Sequence, residues 1–154
     1  MIIVCPAVQD GTFADKYGKR GTQFKASMPT FSFGFRLQDI PVGTVSFAFV
    51  LDDPDSIAPM GFKWIHWLGA NLCKDGIEDN ESIHATTFIQ GKNSWGQNMY
   101  GGMAPPDRPH NYVFRVFALD CLLNLKNGFT FEDLKRESSG HILDSAFIEG
   151  SYRN

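Results

Sequence analysis

Five stretches of the 154-residue chain carry apolar residues in patterns that predict strands. In FSFGF at 31–35 the alternation sets Phe31, Phe33 and Phe35 on one face. TVSFAFVL at 44–51 is a nearly continuous β-branched and aromatic run, as expected of a strand covered on both sides. WIHWLGANL at 64–72 reads as another, NYVFRVFAL at 111–119 alternates around Arg115, and SAFIEGSYR at 145–153 alternates as a closing strand. One helix stands out. Thr130 opens TFEDLKRESSGHIL with an acidic residue three positions on, a capping box with Asp in place of Glu. Phe131, Leu134 and Ser138 then share one face, a narrow stripe suited to docking on a sheet.

Glycine and proline fall mainly between these elements, at 41–43, 54–61, 96–109 and 140. Many short strands and few helices predict a mainly β chain. The expected architecture is a two-sheet β-sandwich with a few short peripheral helices, in a single domain over residues 1–154. Two irregular stretches, 52–63 and 90–110, are longer than plain connectors, and loops of that size either carry function or are disordered.

Composition narrows the function classes. Aromatics at 14% and charged residues at 20% belong to a globular protein. A net charge of -3, with basic residues scattered, argues against nucleic acid and against a polybasic membrane patch. The opening MIIVCPAVQD has no positive n-region, so no signal peptide is expected, and no stretch reaches the roughly 18 apolar residues of a transmembrane segment. Cys5, Cys73 and Cys121 lack CxxC spacing, which predicts reduced, mostly buried thiols in a cytoplasmic protein.

Polar residues cluster where the long loops run into strands. In LDDPDSIAPMGFKWIHW, Asp52, Asp53 and Asp55 surround Pro54, and His66 lies inside an apolar strand. In GGMAPPDRPHNYVF, Pro105, Pro106 and Pro109 lead to His110 and Tyr112. Singly, each has an ordinary structural reading: a core histidine bonded to a carbonyl, an Asp-Pro turn, a strand-edge histidine, a strand aromatic. Together, two imidazoles, a carboxylate and a phenol would make a donor-rich hole suited to an anion, above all a phosphate. The prolines would stiffen the loop, and the glycines would let its backbone approach a ligand.

These two stretches resemble the signature regions of the phosphatidylethanolamine-binding protein family, which includes the Raf kinase inhibitor-like proteins. The shorter bacterial and archaeal branch fits best, through PPDRPHNYVFRVFALD and the closing AFIEGSYRN. The resemblance implies a β-sandwich with a small surface pocket for phosphate-like anions and phospholipid head groups. It implies Asp53 as the pocket carboxylate, His66 and His110 as its histidines, and Trp64 and Tyr112 as lining rings. Ala104 would bring a backbone donor, just before the Pro105-Pro106 wall. Two departures from the pattern are Ala104, where Gly or Cys is usual, and Asn111, where Arg usually follows the histidine. The second weakens the expectation of a salt bridge behind the pocket.

The leading expectation is a non-catalytic binding protein in which Asp53 orients His66 and both imidazoles donate to ligand oxygens. The alternative is an inhibitor of a kinase or protease that docks through the pocket rim and loops. A third reading, a metal-dependent or hydrolytic enzyme, ranks lowest: Asp53, His66 and His110 could form a facial metal site, but no G-x-S-x-G elbow is present. No cofactor, metal or catalytic residue is expected. The abundant aromatics leave room for a homodimer face. Ser94, Trp95, His84 and His141 carry no assigned role, His141 being read as part of the helix.

Overall fold

The strand predicted at 44–51 lies inside the main sheet, and every residue of it from Ser46 on is buried. The computed structural model describes residues 1–154. The strands are β1 (Ile2–Val4), β2 (Val8–Gln9), β3 (Thr12–Phe13), β4 (Phe24–Lys25), β5 (Met28–Pro29) and β6 (Phe35–Gln38). They continue with β7 (Ser46–Asp53), β8 (Trp64–Leu72), β9 (Gly76–Ile77), β10 (Ile89–Gln90), β11 (His110–Leu119) and β12 (Ile142–Tyr152). The helices are α1 (Ile57–Met60) and α2 (Phe131–Ser138).

Seven strands form one sheet in the order β10-β8-β7-β11-β12-β3-β2, antiparallel except where β12 meets β3. A smaller sheet, β1-β6-β9, lies over one face, and β4–β5 is a separate hairpin. Side-chain alternation divides the sheet's two faces. Phe47, Phe49 and Leu51 of β7 join Phe35, Leu37, Trp67 and Phe114 in the core between the sheets. Ala48 and Val50 point the other way, into a second core closed by Leu134 of α2. A strand covered on both faces needs apolar residues at consecutive positions, which is why 44–51 reads as a run rather than an alternation.

The mainly β sandwich with short peripheral helices stands as expected, but three local expectations need correction. Residues 31–34 are not strand: β6 begins only at Phe35. Their backbone bonds go elsewhere, Gly34 N–H donating to Asp79 Oδ1 at 2.8 Å and Ser32 C=O accepting from Asn80 N–H at 2.7 Å. Phe33 is fully buried and packs against Phe13, Tyr17, Trp67, Tyr100 and Phe114, so its hydrophobic signal reports core membership and not pleating. The helix begins as predicted, with a reciprocal Thr130–Asp133 capping box, but it ends at Ser138. Gly140, at φ +81, then turns the chain, and His141 lies beyond the helix. Finally, none of the three cysteines is fully buried: Cys73 is exposed and the others are half-buried, because each follows the end of an element rather than sitting within one.

Candidate functional site

At the end of β7 the pleat sends adjacent aspartates in opposite directions. Asp52 turns to one face, where Lys63 and Arg115 each reach its Oδ2 at 2.9 Å. Asp53 turns to the other. Pro54 stops the ladder, and Asp53 caps the 3-10 turn Pro54–Ser56 by accepting the Ser56 N–H on Oδ1 at 3.1 Å. Strand pairing sets Asp53 beside Trp64 of β8, while β11, bonded to the other side of β7, brings His110 and Tyr112.

A cavity of about 330 Å³ opens there, lined by Asp53, Trp64, His66, Ala104, Pro106 and Tyr112 together with Ser27, Ser56, Met60 and Trp95. Six of the seven predicted site residues therefore line one hollow, although their positions in the chain run from 53 to 112. A larger cleft of about 570 Å³ lies elsewhere, but its charges are already spent on one another in the pairs Lys16–Asp79 and Arg36–Glu78. It offers no free charge to a ligand.

His110, the seventh, does not line the cavity. Its ring is buried behind Asp53, with Nδ1 2.7 Å from Asp53 Oδ2 and Nε2 2.8 Å from Asp107 Oδ1. Burial alone would lower its pKa, but the two carboxylates prevail and the net shift is upward. Burial also lifts the Asp53 carboxyl above its ordinary range, against the pull of His110.

The expectation that Asp53 orients His66 is therefore wrong. His66 Nδ1 lies 2.7 Å from the Gly101 carbonyl, which can only accept, so Nδ1 carries the proton. Burial in apolar surroundings lowers the His66 pKa to about 4, leaving the ring neutral with a bare lone pair on Nε2. Paired to different partners, the two histidines do different work. His110 braces the carboxylate and His66 forms part of the wall.

Two buried polar groups of cavity-lining residues, the Trp64 indole N–H and the Tyr112 hydroxyl, have no hydrogen-bond partner within 3.5 Å, although the Asp53 carboxylate and the Ala104 backbone lie close enough to Tyr112 to act on it. Burial, with the Asp53 charge adding to it, pushes the Tyr112 phenol far above its ordinary pKa, so it keeps its proton. The glycine pair in front of the proline ramp is fixed by close approach. A Cβ on Gly101 would stand 2.6 Å from the Trp95 ring, and one on Gly102 would press on the Tyr17 carbonyl.

Sequence reasoning missed Trp95, whose ring packs edge-on against Trp64 and His66 at centroid distances of 5.1 and 5.2 Å. Ser94 places it: Ser94 Oγ accepts the Ile65 N–H at 2.9 Å, stapling the loop to β8. Ser56 was missed as well, although Asp-Pro-Asp-Ser is a local capping signal. The Asn111 departure proves mild, because Asp55 Oδ2 accepts the Asn111 backbone N–H at 2.8 Å and Arg108 reaches Asp55 Oδ1 at 3.4 Å. The charge behind the cavity comes from Arg108 instead.

The family model described as phosphatidylethanolamine-binding protein matches residues 5–153. The YxkA protein of Bacillus subtilis is 36% identical over 155 residues, covering 88% of this chain and 90% of its own. A UPF0098 protein of Chlamydia muridarum is 38% identical over 117 residues, covering 74% of this chain and 77% of its own. Among solved structures, a phosphatidylethanolamine-binding protein homolog from Chlamydia trachomatis superposes with a TM-score of 0.83 at 29% identity, over 99% of this chain and 96% of that one. YbcL of E. coli superposes equally well, with a TM-score of 0.83 over 99% of this chain and 97% of its own, but at 23% identity it speaks for the fold alone.

Proposed function

The chain belongs to the phosphatidylethanolamine-binding protein family, and from that premise we propose that it is a non-catalytic binding protein whose cavity takes phosphate-like anions or phospholipid head groups. The observation that carries the reading is the pair of unpartnered donors. Buried N–H and O–H groups are nearly always satisfied, and leaving one bare costs about 1–3 kcal/mol. Trp64 and Tyr112 both line the cavity, and a ligand whose oxygens reached the indole N–H and the hydroxyl would satisfy both. Asp53 and His66 bring acceptors beside them, which suits a ligand that carries donors as well: a protonated phosphate or an ammonium head group. A non-catalytic role is favoured because neither histidine faces a nucleophile. His110 is held by two carboxylates, His66 by a carbonyl, and Ser94 Oγ by the Ile65 N–H.

The test is calorimetric titration with phosphate and phosphorylethanolamine, for the native protein and Tyr112→Phe. Saturable one-to-one binding, weakened by the substitution, supports the reading. Absence of binding at millimolar ligand refutes it.

A second reading rests on the rim. Ile57, Met60 and Phe62 are each about half exposed beside the cavity mouth, and Phe62 stacks on Trp64 at 5.5 Å. Such a ridge suits a kinase or protease partner that covers the pocket. Pull-down that is lost with Phe62→Ser but kept with Tyr112→Phe favours this over head-group binding. Three unpaired thiols fit a reducing, cytoplasmic setting, and no helix is long and apolar enough to cross a membrane.

A further inference from the structure

We propose a divalent transition-metal site, suited to Zn²⁺, formed by Asp120, Cys121 and His141 at the far end of β11 from the cavity. One ligand atom from each side chain, a carboxylate oxygen, a thiol sulfur and an imidazole nitrogen, lies within 4.8 Å of the other two. A tetrahedral zinc centre, with bonds of about 2.0–2.3 Å, needs these atoms roughly 3.3–3.6 Å apart. Movements of about an ångström by side-chain rotation close that difference.

The backbone holding the three is already fixed. Leu119 pairs with Ile142 where β11 meets β12, and Asp120 N–H donates to the His141 carbonyl at 3.1 Å. Ser46 Oγ donates to the Cys121 carbonyl at 2.6 Å, and His141 N–H donates to the Ser138 carbonyl at 3.0 Å. The turn at Gly140 is what swings His141 out of α2 and beside Asp120. Asp120 Oδ1 and His141 Nδ1 stand 2.8 Å apart with a proton between them. All three side chains remain reachable from solvent, two of them exposed and Cys121 half-buried.

On binding, the imidazole changes tautomer, its proton moving from Nδ1 to Nε2 as the metal takes Nδ1, and the thiol proton passes to solvent. One bond forms to each of nitrogen, oxygen and sulfur, water takes the fourth position, and no electron changes hands. A mixed sulfur, nitrogen and oxygen set selects zinc or cobalt over magnesium or calcium, which prefer oxygen alone. The strand rise puts this cluster about 30 Å from the cavity, so it is separate from the proposed anion site. It is also not the metal set considered from the sequence: in the Asp53–His110 pair the carboxylates already occupy both ring nitrogens.

The test uses Co²⁺ as the probe, with the full chain under reducing conditions. One equivalent should produce the near-ultraviolet thiolate-to-cobalt charge-transfer band, and Zn²⁺ should displace it. Cys121→Ser should abolish the band and His141→Gln should weaken binding by at least about tenfold, while Cys73→Ser changes neither. All three substitutions are at exposed or half-buried positions, and circular dichroism verifies their folding. Absence of the band in the native protein, or its survival in Cys121→Ser, overturns the proposal.

Discussion

Asp53 Oδ2 and His110 Nδ1 lie 2.7 Å apart with side chains no more than 5% exposed, tying the last residue of β7 to the first of β11. The histidine that looks like a ligand is the brace of the carboxylate that lines the cavity. His110→Ala should therefore cost about 3 kcal/mol in urea unfolding, because it leaves a buried carboxylate without its partner. Asp107→Asn, at the outer and more exposed ring nitrogen, should cost less than about 1 kcal/mol.

The two histidines give stability opposite pH slopes. The raised pKa of His110 means its contribution is complete below the unfolded value near 6.5 and is lost as pH rises through the folded value. His66, lowered to about 4, acts the other way: its neutral form is stabilised, and stability falls as pH drops from 6.5 toward 4. That limb amounts to something on the order of 3 kcal/mol. Denaturation midpoints compared across pH for the native protein, His110→Gln and His66→Gln should show each limb flattened by its own substitution.

Tyr112→Phe should separate stability from binding. Removing a buried hydroxyl without a partner should leave stability unchanged or raise it by about 1 kcal/mol. The same change removes a donor from the cavity, so anion affinity should fall roughly tenfold. Thermal unfolding and calorimetry on one preparation check both directions.

Gly101→Ala tests the wall rather than the donors. The added methyl would stand 2.6 Å from the Trp95 ring, which lines the cavity. Trp95 must move, and the expected result is weaker ligand binding with altered Trp fluorescence. By contrast, Gly11→Ala, where a Cβ meets nothing within 4 Å, should leave binding alone and cost only the strain of φ +72.

Much of this was legible in the sequence. The strands at 64–72 and the capping box at Thr130 were readable because local pattern and tertiary role agree there. The stretch at 31–35 misled because core burial and strand alternation leave the same apolar trace, and only tertiary bonds to Asp79 and Asn80 distinguish them. At the site, residue types pointed to Asp53, His66, Tyr112 and the prolines, and the family resemblance added Trp64 and Ala104, yet neither paired them. Which carboxylate meets which imidazole depends on β7 lying between β8 and β11, a register that no spacing along the chain encodes. Trp95 and Asp107 were overlooked for the same reason, since each acts through a neighbour distant in sequence or hidden by the proline ramp.

A phosphate-bearing head group bound in the proposed cavity would lie beside His66. The most direct test of this placement is nitrogen-15 NMR of the histidine rings at pH 6 during titration with glycerophosphoethanolamine, a diester whose charge does not change in that range. Saturation should move the His66 Nε2 signal toward the protonated form while His110 shifts little, because a phosphate charge brought beside the neutral ring favours its protonated form. The same coupling should strengthen binding as pH falls from 7 toward 5. A His66 ring unmoved at millimolar ligand would contradict it.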